Sequence, residues 1–136
     1  MKKQSHRLSV LIGLIAGLTL TPYATGNTCP TQVHQATDGY WVSDSSPGWK
    51  SHKPTATNVK LSENPFGGAV YSPKKKRIAC VYRGTHKAWI ALISNKKHPF
   101  NEDDLEMKNW EFNKKHQDYV CGKPKSTIKE CIFSVK

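Results

Sequence analysis

The first 26 residues combine a basic start with one apolar run. Three basic residues within the first seven precede an apolar stretch over residues 8–20, which leads into Ala24-Thr25-Gly26. This order is typical of a secretory signal peptide with its cleavage site before Asn27. The apolar stretch is shorter than the roughly 20 apolar residues that a membrane span needs. The pattern therefore predicts a cleaved signal peptide over residues 1–26 and a periplasmic mature protein over residues 27–136.

Apolar and alternating runs predict β-strands from residue 58 onward. Weak strands are predicted over residues 59–61 and 68–71, and a clearer one over residues 77–82, where Ile78, Cys80 and Tyr82 share one face. The run over residues 88–93 is apolar at every position, which predicts a central strand covered on both faces, with Trp89 in the core. Further strands are predicted over residues 119–121 and 131–135.

The remaining segments predict little helix. Residues 29–36 can form a short helix with Pro30 in its first turn, residues 40–42 a brief strand, and the polar residues 43–57 a loop. Asn101 can cap a short helical turn. Together these elements predict one α+β domain with an antiparallel sheet of about five to six strands and little helix. An all-β roll is the alternative.

Net charge favours an anionic partner. The whole chain has a formal net charge of +11, and the predicted signal peptide removes three basic and no acidic residues, which leaves +8. A field of this sign attracts acidic proteins and anionic surfaces. Nucleic acid is an unexpected partner, because an exported protein meets little of it and no aromatic platform alternates with the basic runs.

Four cysteines, an even number, predict two disulfides in an exported protein. Zinc is the competing use, but structural zinc sites favour ligands two to four residues apart. Of the three possible connectivities we favour Cys29 with Cys80 and Cys121 with Cys131, because the last two flank a loop as the arms of a hairpin do. Cys29 does not stand directly after the predicted cut, so we expect no lipid anchor and at most peripheral membrane contact.

No sequence pattern predicts a catalytic site, a metal site or a cofactor. The histidines lack metal-pair spacing, and no serine-nucleophile motif is present. The acidic residues 102–104 fit the first turn of a helix better than a calcium loop. The alternative function is a small secreted hydrolase or nuclease, for which His86, Lys87, His116 and Lys123 supply the residue types without a recognisable order.

The basic run Lys74, Lys75, Lys76 and Arg77, joined by residues 96–98 and 114–116, is the strongest candidate for a binding surface. Four cations in a tight turn attract an anionic partner. The alternative is that these lysines only keep the turn soluble and protect a sheet edge from pairing with another chain. The sequence supports these two interpretations about equally.

A second candidate surface is the predicted central strand. Because a short chain supplies little helical cover, one face of this strand must pack on another part of the chain or on another subunit. We therefore expect Trp89, Ala91 and Ile93 to form an interface, with a homo-oligomer as one outcome. The four tryptophans could also line a sugar groove, although such residues more often fill the core of a small domain.

The order of cysteines and aromatic residues carries a resemblance. Cys29-Pro30, Trp41, residues 66–71, residues 78–82, residues 119–121 and Cys131-Ile132-Phe133 resemble a family of small exported, cysteine-containing bacterial proteins of uncharacterised function, among them a periplasmic protein associated with Dot/Icm type IV secretion. The resemblance covers most of residues 27–136. It implies a periplasmic, non-catalytic accessory protein that supports virulence-related secretion, with a protein partner in the envelope or the secretion apparatus.

Overall fold

The computed structural model describes residues 27–95, 100–122 and 127–134, so the predicted signal peptide lies outside the described residues. Eight strands form one sheet: β1 (His34–Gln35), β2 (Trp41–Ser43), β3 (Trp49–Ser51), β4 (Leu61–Ser72), β5 (Arg77–Gly84), β6 (Trp89–Ser94), β7 (Glu111–Asn113) and β8 (Asp118–Cys121). Three short 3₁₀ turns cover residues Glu102–Asp104, Met107–Asn109 and Ile128–Glu130. None of the described helices is long and apolar enough to cross a membrane.

Neighbouring strands all run antiparallel, in the order β1-β2-β3-β6-β5-β4-β8-β7. The long hairpins β4–β5 and β5–β6 form the centre, with Ala69 opposite Cys80 and Cys80 opposite Leu92. Two connections leave this meander, one from β3 to β4 and one from β6 to β7. The turns β4–β5 and β7–β8 therefore lie at one end of the sheet, and the turn β5–β6 lies at the other.

One face of the sheet carries the core. Side chains at alternate positions of the central strands are buried there, as period-2 strands require; they include Tyr71, Ile78, Cys80, Tyr82, Ile90 and Leu92. The segment around Phe100 and Phe133 covers this inner face, with the two rings 5.7 Å apart edge to face. The Tyr82 hydroxyl donates a buried hydrogen bond of 2.6 Å to the Pro30 carbonyl.

Both predicted disulfides are present. Cys29 is bonded to Cys80 and Cys121 to Cys131, and all four cysteines are buried. The first bond fastens the amino-terminal segment to β5 at the middle of the sheet. The second fastens the last described segment to β8. The pairing expected from the hairpin argument is thus confirmed.

The expected count of five to six strands is wrong, because the sheet has eight. The two-residue strand β1 and the three-residue strand β3 lie in polar stretches that lack a strand pattern of their own. They are extended because each pairs with a neighbour, β1 with β2 and β3 with β6. Tertiary pairing therefore overrides local propensity at this edge of the sheet.

The expected helix over residues 29–36 is also wrong, and with it the α+β assignment. This segment contains β1 and no helix. Its disulfide at Cys29 and the hydrogen bond to the Pro30 carbonyl hold it against the sheet in extended form. The described residues contain 3₁₀ turns and no α-helix, so the domain is a small antiparallel single-sheet domain that lies closer to the all-β alternative.

The two weak strands predicted around residues 59–61 and 68–71 belong to one strand. β4 runs without a break from Leu61 to Ser72, with register shifts against β5 on both sides of Phe66. Asn64 has a positive φ of 52° within this irregular stretch. A bulge thus lets a sequence with an internal Asn-Pro continue as one long strand.

Candidate interaction surfaces

The outer face of the sheet has no covering layer among the described residues. Trp89 is 63% exposed, Ala91 is exposed and Ile93 is half-buried, whereas the alternating Ile90 and Leu92 are buried on the inner face. The prediction that Trp89 lies in the core is therefore wrong. The three residues proposed as an interface do lie together, in one line along the outer face.

One row of side chains crosses the outer face from edge to edge. Its members are opposite one another in the register of adjacent strands: His34, Val42, Lys50, Ile93, Ala79, Val70, Val120 and Glu111. The four central members are apolar and half-buried. A cation, Lys50, flanks them on one side, and a carboxylate, Glu111, flanks them on the other.

The Trp89 ring reaches across the outer face of the sheet. A Cβ atom placed on Gly67 would come within 2.8 Å of Trp89 Cζ3, so the indole reaches from β6 across β5 to β4. Only a residue without a side chain leaves room for the ring here. The position of Trp89 thus depends on Gly67 of the next-but-one strand.

An open groove of about 510 Å³ lies on the outer face near the start of β5. Its apolar wall includes Val70, Ala79 and Ile93, and its polar rim includes His52, Lys75 and Arg77. Lys75 and Arg77 are exposed, and neither side chain makes an ion pair or hydrogen bond within the described residues. The groove therefore joins the predicted interface to the predicted basic surface.

The basic turn, Lys74 to Arg77, connects β4 to β5. Ser72 forms it, because the Ser72 carbonyl accepts from the Lys76 amide at 2.7 Å and its hydroxyl accepts from the Lys75 amide at 3.2 Å. Lys76 has a positive φ of 54°. All four side chains of the turn are exposed. The turn is thus ordered by Ser72 while its charges face solvent.

Other basic residues lie at the same end of the sheet. Lys114 and Lys115 belong to the β7–β8 turn and are exposed. Phe100, just after the basic residues 96–98, donates its amide to the Lys76 carbonyl at 3.0 Å; residues 96–98 themselves lie outside the described residues. Between Glu63 and Glu102 the sequence has no acidic residue, and its cations are Lys74, Lys75, Lys76, Arg77, Arg83, Lys87, Lys96 and Lys97. The stretch between Glu63 and Glu102 thus carries positive charges only, whereas residues 102–136 have equal numbers of acidic and basic residues.

The residues considered for a nuclease do not come together. His86 and Lys87 lie in the β5–β6 turn and His116 in the β7–β8 turn. These turns lie at opposite ends of the sheet, separated by the length of β5, about 25 Å for eight residues. Lys123 lies outside the described residues. Among the described residues, no group of three or more His, Cys, Asp or Glu side chains is placed to hold a metal ion.

Two buried tyrosines have displaced pKa values. Burial raises the pKa of Tyr71 above 10.0, and the negative charges of Glu102 and Asp104 raise it further. The Tyr71 hydroxyl donates to the Phe100 carbonyl at 3.0 Å. Burial also raises the pKa of Tyr82. Both groups belong to the packing between the sheet and its cover and lie on the face opposite to the groove.

Sequence reasoning did not identify Lys50, Val70, Val120 or Glu111 as members of a surface. β3, to which Lys50 belongs, and β7, to which Glu111 belongs, are three-residue strands. Only the register of the sheet places the four in one row. Of the four tryptophans, Trp41, Trp49 and Trp110 are buried in the core, so they do not line an exposed sugar groove.

The fold and these surfaces define a small disulfide-linked antiparallel domain with one uncovered sheet face. Comparison of the chain with protein-family models, with curated proteins and with solved structures finds no match.

Proposed function

We propose that this protein is an exported, periplasmic accessory protein that acts by binding and not by catalysis. Its partner is an acidic protein of the envelope or of the secretion apparatus, and its role is to support virulence-related type IV secretion or another envelope function. The two buried disulfides are consistent with export, because such bonds persist in oxidising compartments. The resemblance to small exported bacterial proteins supports the same role.

The exclusively basic stretch over residues 64–101, with its exposed turn, is the observation that carries the proposal. The basic turn presents Lys74, Lys75, Lys76 and Arg77 to solvent next to an open groove with apolar walls. A cluster of exposed cations suits a partner that offers several carboxylates. Electrostatic attraction would speed the encounter, and charge-assisted hydrogen bonds from the turn would hold the complex.

A pair of triple variants tests the proposal. In the first, Lys74, Lys75 and Lys76 are replaced by Ser; in the second, the matched control, Lys53, Lys60 and Lys87 are replaced by Ser. All six lysines are exposed, and both variants lose the same charge. The control residues lie away from the basic turn. We therefore expect the partner to be recovered from envelopes with the control variant but not with the first variant, and we expect only the first variant to impair secretion.

We expect the first variant to lose at least tenfold in affinity at about 50 mM salt. The loss should become smaller as the salt concentration rises, because a shorter Debye length screens the charges in the wild type as well. Equal effects of the two variants would show that net charge alone matters. In that case the turn would serve solubility and the proposed site would be wrong.

We also propose, independently of the acidic partner, that copies of the chain associate through the line of Trp89, Ala91 and Ile93. Antiparallel sheets often leave one face to solvent, but the exposed Trp89 on this face is of a residue type that is enriched in interface hot spots.

A further inference from the structure

We infer that the outer face of the sheet is a two-fold interface between two copies of this chain, with the symmetry axis running parallel to the strands between β4 and β5. The inference rests on the proposed function in that it assigns the chain a binding role. It goes further by fixing which residues meet. Its test uses purified protein alone, so its failure leaves binding of an acidic partner by the basic turn unaffected.

The row across the face is complementary to itself about this axis. On the β5 side the row reads Ala79, Ile93, Lys50, and on the β4 side it reads Val70, Val120, Glu111. A two-fold rotation places each residue of the first set opposite the corresponding residue of the second. Two apolar layers then pack in the middle, and Lys50 of each copy meets Glu111 of the other at each side.

A second pair of opposite charges comes close without being directly opposed. Arg77 on β5 and Asp118 on β8 also lie on the outer face, on opposite sides of the axis. The rotation places each of them one strand spacing, about 4.8 Å, from the opposite charge in the other copy. A flat anionic membrane is a poorer occupant of this face, because it would meet the carboxylates of Asp118 and Glu111 as well as the cations.

Trp89 marks the axis at the other end of the face. Its ring starts on β6 and lies over Gly67 of β4, so it crosses the line between β4 and β5. The two Trp89 rings of a dimer would therefore meet on the axis. A tryptophan at the centre of a symmetric patch is a common source of binding energy.

The area available fits a weak dimer. From β3 to β7 the face spans five strand spacings, about 24 Å, but β3, β7 and β8 are short, so this width holds over about 12 Å only. Beyond it β4, β5 and β6 continue alone, about 10 Å wide for about 8 Å. Each copy therefore contributes about 370 Å², or about 740 Å² in total, which is in the range of small, transient interfaces. We expect reversible association that depends on concentration.

The axis also determines where the basic turns go. Rotation about a line parallel to the strands keeps both β4–β5 turns at the same end of the dimer. The two sets of Lys74, Lys75 and Lys76 then lie side by side, exposed to solvent and screened by salt. An acidic partner would meet both sets at once and gain from avidity.

Charge exchange tests this arrangement. Sedimentation equilibrium between about 5 and 500 micromolar would measure the dimer constant for the wild type, K50E, E111K and the double variant K50E/E111K. Each single variant should weaken association at least fivefold, because it sets two like-charged pairs against each other. The double variant should restore it to within about threefold. Within one chain, Lys50 and Glu111 are about 24 Å apart by strand spacing. K50E also lowers the positive net charge, which by itself would favour association, so weakening by K50E together with rescue by E111K requires contact between copies.

Two further variants complete the experiment. W89A should weaken association at least tenfold, and K60E, which changes an exposed lysine that is not in the row, should leave it unchanged. A wild type that stays monomeric at every concentration would overturn the inference and leave the face to another partner. Dimerisation that survives W89A, or single variants without rescue in the double variant, would overturn the proposed register.

Discussion

Removal of each disulfide should destabilise the protein by an amount that depends on the length of chain that the bond closes. The Cys29–Cys80 bond spans 51 residues and the Cys121–Cys131 bond spans 10. In the chain-entropy relation these separations correspond to about 4 and about 2.7 kcal/mol at 25 °C. The double variants C29A/C80A and C121A/C131A remove the same atoms from buried positions, so the difference between them isolates the loop term, about 1.4 kcal/mol.

Urea unfolding at neutral pH, followed by tryptophan fluorescence and by circular dichroism, would measure both free energies. We expect C29A/C80A, which lacks the bond that closes the longer loop, to be the less stable of the two variants. Both variants should unfold cooperatively. If C121A/C131A proved as unstable as C29A/C80A, or less stable, the loop-length argument would be refuted. The wild type should contain no reactive thiol, since both bonds are formed.

Two other predictions concern pH and export. The folded state holds the Tyr71 proton above pH 10.0 whereas the unfolded state releases it, so the free energy of unfolding should fall as pH rises beyond that value, by up to about 1.4 kcal/mol per unit of pKa difference. Y71F should show a shallower fall in urea titrations between about pH 10 and 11.5, and an equal fall would contradict this reasoning. The exported protein should begin near Asn27 without a lipid, and an intact mass that includes residues 1–26 would contradict the predicted cleavage.

The central strands and the disulfides could be predicted from the sequence because their signals are local. The alternation of Ile78, Cys80 and Tyr82 predicts the inward face of β5, and the structure confirms it. The spacing of Cys121 and Cys131 around a loop indicates a short bridge, which is present. Where one face of a strand is buried, period-2 alternation specifies its orientation.

The edge of the sheet and the outer face could not be predicted in this way. In the run over residues 88–93 both faces are apolar, so parity could not decide that Ile90 and Leu92 point inward and that Trp89 points outward. Strand β3 has three residues, and it is extended because it pairs with β6. Long-range register, which a single sequence does not reveal, joins Lys50 to the same row as Glu111.

The basic turn, in the proposed function, binds an acidic protein in the envelope. A photoreactive amino acid placed at Lys75, and in a matched strain at Lys60 at the other end of the sheet, would capture direct neighbours in living cells. We predict a specific adduct from position 75 with an envelope or secretion protein whose contacting segment is acidic, and none from position 60. The same adducts from both positions, or none from position 75 while the protein is folded and exported, would contradict the proposed function.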